Sequence, residues 1–351
     1  MNLHKSALKW PKMTNRYRFP LTESAKFFII MSPAWQHAKK TGGETSMKKV
    51  LVLVLALALL CSSALAAEIG FLPPAMTSPF YASCIEGATP VAEANGYDLL
   101  VMSPPTEDDY ATQMSMMEDM ITRGVAGIAV CGINLDALIP GIQKANEAGI
   151  PVVMFNTITE LEGADVYAYS GYNQYGGGAK IADWVNEQTG GEAKVAIIEG
   201  LPSDFTTQRM GGFVDRAAEA YPGIEVVATQ PGDWVRETGM NAAMDMLQAH
   251  PEINVIYGLS DEMALGAVQA CKQIGRDDII VVGLDGNPNA LESVKAGELD
   301  ATLDCGPVAI GANAVLAIID AINGVEREEK VIEAETTVVD ITLVDEFLPA
   351  E

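Results

Sequence analysis

The segment Val255-Ile256-Tyr257-Gly258-Leu259-Ser260-Asp261-Glu262-Met263-Ala264-Leu265-Gly266-Ala267 leads from a short apolar run into an amphipathic stretch that ends at Ile274. Ile279-Ile280-Val281-Val282-Gly283-Leu284 then returns to an apolar run, closed by Asp285-Gly286. Short Val/Ile runs read as strands, Glu262–Ile274 as a helix, and Ser260 as its natural N-cap. The runs are continuous rather than alternating, which is the pattern of parallel strands covered by helices on both faces. The same alternation extends outward. Upstream, strands are expected at Ile69–Leu72, Tyr97–Met102, Gly127–Val130, Pro151–Phe155 and Val166–Tyr169, with helices at Phe80–Ala94, Tyr110–Arg123 and Leu135–Glu147. A second series places strands at Val195–Ile198, Glu225–Ala228, Val255–Tyr257, Ile279–Leu284 and Leu299–Leu303. Its helices are Gly178–Gln188, Thr207–Ala220, Glu237–Ala249, Glu262–Ile274 and Pro288–Lys295, followed by a helix at Pro307–Ile322 and a β-rich tail at Thr336–Leu343. The expected fold is α/β, with two doubly wound parallel-sheet domains. A length of 351 residues, 49% of them apolar, suffices for two cores.

Ligands of such sheets sit beyond the carboxyl ends of the strands. The residues found there are Ser78-Pro79-Phe80-Tyr81, Cys131, Asn156-Thr157, Ser203 to Thr207, Asp233-Trp234, Ser260-Asp261, Asp285 and Asp304-Cys305. Aromatic faces beside short hydrogen-bonding side chains suit a polyhydroxylated ligand, whose C–H faces stack while its hydroxyls find donors and acceptors. Catalytic patterns are missing. Gly258-Leu259-Ser260-Asp261-Glu262 lacks the second glycine of a nucleophile elbow, and Gly176-Gly177-Gly178-Ala179-Lys180 lacks the ending of a phosphate loop. Three histidines in the whole chain disfavour a His-based triad or metal site. The expectation is a binding protein rather than an enzyme, with no cofactor and no metal. The cluster Met114, Met116, Met117 and Met120 reads as a helical core stripe.

Charge divides the chain. Overall, 22 Lys/Arg stand against 47 Asp/Glu, a net charge of −25, so a nucleic-acid partner is not expected. Residues 1–46 run the other way, with eight basic residues and two acidic ones. Met47-Lys48-Lys49 then precedes an apolar run from Val50 to Leu60 and the small-residue exit Ala64-Leu65-Ala66-Ala67. A basic start, a short apolar run and a small-x-small exit form a secretory signal peptide. Residues 47–66 are therefore read as that peptide, and 1–46 as a spurious upstream extension with Met47 the true start. Leu60 before Cys61 speaks against lipid modification. The exported chain from Ala67 carries 45 acidic and 12 basic residues, or −33. It keeps Cys84, Cys131, Cys271 and Cys305, none in a CxxC pair, and buried free thiols are preferred.

Several motifs also carry a family likeness: Thr77-Ser78-Pro79-Phe80-Tyr81, Gly124-Val125-Ala126-Gly127-Ile128, Ala148-Gly149-Ile150-Pro151-Val152-Val153, the Asp261–Ala267 block and Val281-Val282-Gly283-Leu284-Asp285-Gly286. Through them the chain resembles the bacterial periplasmic sugar-binding proteins of ABC transporters, of the ribose- and galactose-binding type. The likeness spans residues 68–345 and implies two lobes, 67–173 plus 306–331 and 174–305 plus 332–351, joined by a three-stranded hinge. It implies a monomer in the periplasm whose closed form an inner-membrane ABC permease recognises. The alternative is a periplasmic ligand sensor that presents its closed form to a chemoreceptor or sensor kinase. Cytoplasmic repressors share the core, but here a signal peptide stands where their helix-turn-helix would be.

Transferred position by position, the resemblance implies ligand contacts from Ser78, Phe80, Tyr81, Trp234 and Asp285. Ser260 stands where the family usually has Asn, Asn156-Thr157 where Asp-Arg is frequent, Thr207 where an Arg is common, and Cys305 where Gln or Asn is usual. Cys131 and Arg209 are secondary choices, Arg209 being read chiefly as an ion-pair partner. With Asp285 the one charged contact, a neutral sugar, polyol or modified sugar is expected rather than a sugar phosphate.

Overall fold

Capped amphipathic stretches alternate with apolar runs to give twelve strands and nine helices among the described residues, 67–348, of this computed structural model. The expected signal peptide and upstream extension lie outside the described residues. The first series is β1 (Ala67–Leu72), α1 (Pro79–Ala94), β2 (Tyr97–Val101), α2 (Tyr110–Arg123), β3 (Gly127–Val130), α3 (Leu135–Glu147), β4 (Val152–Phe155) and β5 (Ala168–Gly171). The second runs through α4 (Gln174–Thr189), β6 (Ala193–Glu199), α5 (Asp204–Ala220), β7 (Ile224–Pro231), α6 (Arg236–Ala249), β8 (Val255–Gly258), α7 (Asp261–Ile274), β9 (Ile280–Asp285), α8 (Pro288–Lys295) and β10 (Ala301–Asp304). The chain then forms α9 (Pro307–Ile322), β11 (Val331–Glu333) and β12 (Thr337–Asp340).

The strands make two six-stranded sheets, ordered β11-β5-β4-β3-β1-β2 and β12-β10-β9-β8-β6-β7. Every pairing is parallel except that of β12 with β10 at the edge of the second sheet. The inner strands β3, β4 and β8 are buried along their whole length, which accounts for their unbroken apolar runs. Met117 and Met120 are fully buried in the first sheet's core, with Met114 and Met116 packed against it. All four cysteines are free and buried.

The chain moves from one sheet to the other between β5 and α4, between β10 and α9, and between β11 and β12. The helix α9 returns to the first sheet and packs on α1, β3, β4 and β5. The tail differs from the sequence reading. It holds two short strands on different sheets, β11 pairing Val331 with Tyr169 and β12 pairing Val339 with Thr302. β11 has three residues next to Glu328-Glu329-Lys330, too short and too polar in its surroundings to signal itself. Helices α4 and α5 begin three or four residues earlier than the periodicity suggested. Asn173 caps α4 by accepting from the Gly176 amide, and Ser203 caps α5 by accepting from the Thr206 amide.

Candidate ligand-binding cleft

Each sheet delivers polar and aromatic residues from the ends of its strands. On the first sheet, Ser78 ends the segment after β1 and caps α1, its hydroxyl accepting from the Phe80 amide at 3.3 Å. Pro79 supplies the fixed φ of the first helical position. The next two residues, Phe80 and Tyr81, meet edge to face with ring centroids 5.4 Å apart. Asn156 follows β4, and Glu107 lies in the turn between β2 and α2. On the second sheet, Phe205 and Arg209 stand one turn apart on α5, Trp234 follows β7, Ser260 caps α7, and Asp285 ends β9. These ten residues, five from each sheet, line one cavity.

Backbone strain gathers here. Only four non-glycine residues among those described have positive φ: Asn156 (62°), Asp233 (54°), Trp234 (64°) and Asp285 (145°). Three line the cavity and the fourth precedes Trp234, although each such residue costs roughly 1–3 kcal/mol. The surrounding structure holds them there to aim their side chains inward. Gly200, just after β6, makes room for Trp234, since a Cβ at that position would overlap the indole ring. Gly178 of α4 does the same for Arg209, because a Cβ there would strike the Arg209 carbonyl. The glycines that form no phosphate loop thus let α4 and α5 approach closely.

Arg209 organises the floor of the cavity. Its guanidinium donates to Gln174 Oε1 at 2.8 Å, to the Leu259 carbonyl at 2.6 Å and to Asp285 Oδ1 at 3.3 Å. The same group lies 5.4 Å from the Trp234 ring centroid and 6.0 Å from that of Phe205. Gln174 also donates to the Asn156 carbonyl at 2.9 Å, which ties the second sheet's first helix to the end of β4. Asp285 and Arg209 are both almost wholly buried. Burial pushes the Asp285 carboxyl up to about 6 against the opposing pull of Arg209. Behind it, the buried Asp261 accepts from the Asn287 amide at 2.7 Å and from the Thr302 hydroxyl at 2.5 Å. The Thr302 hydroxyl in turn accepts from the Gly286 amide at 3.3 Å, so this network fixes the turn that presents Asp285. Burial raises Asp261 well above the usual carboxylate range, with Asp285 adding to the effect.

The structure gathers Ser78, Phe80, Tyr81, Asn156, Trp234, Ser260, Asp285 and Arg209 around one space. Thr207 is not among the lining residues. Its exposed hydroxyl donates to the Ser203 carbonyl at 3.0 Å. Two residues along an α-helix rotate by about 200°, so Thr207 and Arg209 face opposite ways, and it is Arg209 that points inward. Thr157 is buried with its hydroxyl accepting from the Thr159 amide at 3.0 Å, and its backbone lies against Gly171. Cys305 and Cys131 are fully buried and outside the lining, the Cys305 thiol donating to the Leu303 carbonyl at 3.5 Å. Two lining residues were not named as contacts from the sequence. Phe205 sits within the Ser203 to Thr207 segment, and Glu107 follows β2, where the strand-end rule applies equally. The cavity therefore holds Asp285, Arg209 and Glu107, not Asp285 alone.

Against known proteins, the periplasmic binding protein domain family matches residues 69–326. The chain is 31% identical over 294 residues to a ribose import binding protein of Salmonella typhimurium, covering 83% of this chain and 94% of that protein. An Actinobacillus succinogenes ABC transporter solute binding protein with bound D-allose superposes with a TM-score of 0.76 at 32% identity, covering 80% of this chain and 99% of that one. A Bacillus halodurans solute binding protein with bound myo-inositol gives a TM-score of 0.73 at 27% identity, covering 82% and 98%.

Proposed function

We propose, since this chain belongs to the periplasmic binding protein family, that it is the solute-binding component of an ABC importer and takes a neutral sugar or polyol into the cleft. The observation that carries this is the cavity itself, built equally from both sheets, with four aromatic residues around short polar side chains. Aromatic faces stack on sugar C–H groups, while Ser78, Asn156, Ser260 and Asp285 offer partners to hydroxyls. The two sheets act as two lobes hinged at the three crossings, the third of which falls after Glu333 rather than after residue 331, because β11 pairs with β5 along its length. A ligand bridging the two stabilises the closed form, which an inner-membrane permease then recognises. The protein works as a periplasmic monomer after cleavage near Ala66 or Ala67, without nucleic acid and without catalysis. Import names among the relatives weigh against the sensory alternative.

Calorimetric titration with D-ribose, D-allose and myo-inositol, paired with solution scattering, tests the reading. At least one should bind with micromolar or tighter affinity and compact the protein. Present at about a hundred times its Kd, it should add about 2.7 kcal/mol of stability. Binding by none of these or related polyols would overturn the reading.

A further inference from the structure

Glu107 is the one ionisable group of the cavity that nothing neutralises. It lines the inner cavity beside Phe80, Trp234 and Arg209, and also a second pocket that shares Glu107, Phe205 and Trp234 with it. Its carboxylate has no hydrogen bond or ion pair among the described residues, and the nearest cation is already engaged. Arg209 faces Glu107 from α5, but its guanidinium is bound to Asp285, Gln174 and the Leu259 carbonyl. The other ionisable groups felt at this site are Asp285 from β9, Tyr81 from α1 and Cys131 after β3, while Asp108 and Asp109 share its own turn. None of these supplies a positive charge. A closed cleft that buries an ionised Glu107 would hold an uncompensated charge in a poorly solvated space, which is costly.

We propose that Glu107 is a ligand-contacting residue of this cleft that donates from a protonated carboxyl to a sugar or polyol oxygen, so that binding a neutral ligand takes up one proton from solvent. The inference rests on the reading of the cleft as a sugar or polyol site. Although Glu107 is only half-buried, desolvation at the cavity wall pushes its carboxyl up to about 7, with Asp285 adding to the rise and Arg209 opposing it. Ligand that excludes the remaining water and accepts the proton's hydrogen bond raises it further. Glu107's contribution to affinity is then flat below that range and falls as pH rises through it, approaching about tenfold per pH unit where one proton is taken up. The group also discriminates: the donor it offers selects an oxygen rather than a C–H face, while the ionised Asp285 disfavours an anionic ligand.

The test uses the mature protein with D-ribose, D-allose and myo-inositol, titrated between pH 5.5 and 9. For whichever binds, wild type should weaken by more than tenfold from pH 7 to pH 9. Glu107→Gln, which keeps a donor but cannot ionise, should hold its affinity across the same range. Calorimetry of wild type at pH 8 in buffers of different ionisation enthalpy should report uptake of close to one proton. In ligand-free protein, a carboxyl resonance titrating near pH 7, distinct from that of Asp285 near 6, should vanish in Glu107→Gln. A ligand that binds with pH-independent affinity, or a pH dependence that survives in Glu107→Gln, overturns the proposal while leaving the sugar reading intact. If no sugar or polyol binds, the functional reading falls and this inference with it.

Discussion

Replacing Arg209 by Met removes the cation from a buried pair while keeping most of the side chain's volume. Wild-type Arg209 satisfies an amide oxygen, a main-chain carbonyl and a carboxylate at 2.8, 2.6 and 3.3 Å. Deleting one partner of a buried ion pair typically costs 3–5 kcal/mol, because the other charge stays behind unpaired. Asp285 has one escape, which is to bind a proton. Its carboxyl stands at about 6 with Arg209 present, and removing that cation lifts it by roughly another 1–3 units. At pH 6 the variant therefore carries a neutral Asp285, and the loss should sit near the lower bound of about 3 kcal/mol. A group with a raised folded-state pKa gives stability that is complete at low pH and is lost as pH rises through that folded value. The deficit should accordingly grow from pH 6 up to the new pKa, by up to about 1.4 kcal/mol per pH unit, and level off above it. Urea unfolding of wild type, Arg209→Met, Asp285→Asn and the double variant at pH 6 and pH 8.5 reads all of this. A coupling energy of at least about 1.5 kcal/mol is expected between the two sites. A deficit under about 1 kcal/mol at both pH values, or additive losses, would refute Arg209 as the residue that holds Asp285.

Three further outcomes follow from the cleft. Trp234→Ala should weaken ligand binding by roughly 1.5–3 kcal/mol through lost apolar burial and stacking. Its effect on urea stability should be small, since the indole is only half-buried over Gly200. A phosphorylated form of any sugar that binds should bind at least about tenfold more weakly, a difference of about 1.4 kcal/mol in competition titrations. Tighter binding of the phosphate would show that Arg209 serves the ligand rather than Asp285. Burial pushes the Cys131 thiol up to about 12 and that of Cys271 up to about 11, and raises Cys84 and Cys305 well above the usual range. A thiolate-specific reagent should therefore find no fast-reacting thiol in the native mature protein and four after unfolding; one rapidly modified native thiol would contradict this.

What could be read from the chain alone was local in origin. Unbroken Val/Ile runs such as Val281-Val282, helix caps such as Ser78 and Ser260, and Pro79 at a first helical position each express interactions within a few residues. Their repetition was enough to infer two parallel sheets, and the rule that ligands gather at strand ends led to most of the cavity's lining. The rest depends on groups far apart in sequence. Nothing around Arg209 announces that residue 285 is its partner, and only the helical phase of α5 turns it inward while Thr207 faces solvent. Glu107 belongs to the cavity because residues from Phe80 to Asp285 converge on its turn. Its raised pKa comes from the desolvation those neighbours impose, a property of three-dimensional surroundings that no local pattern encodes.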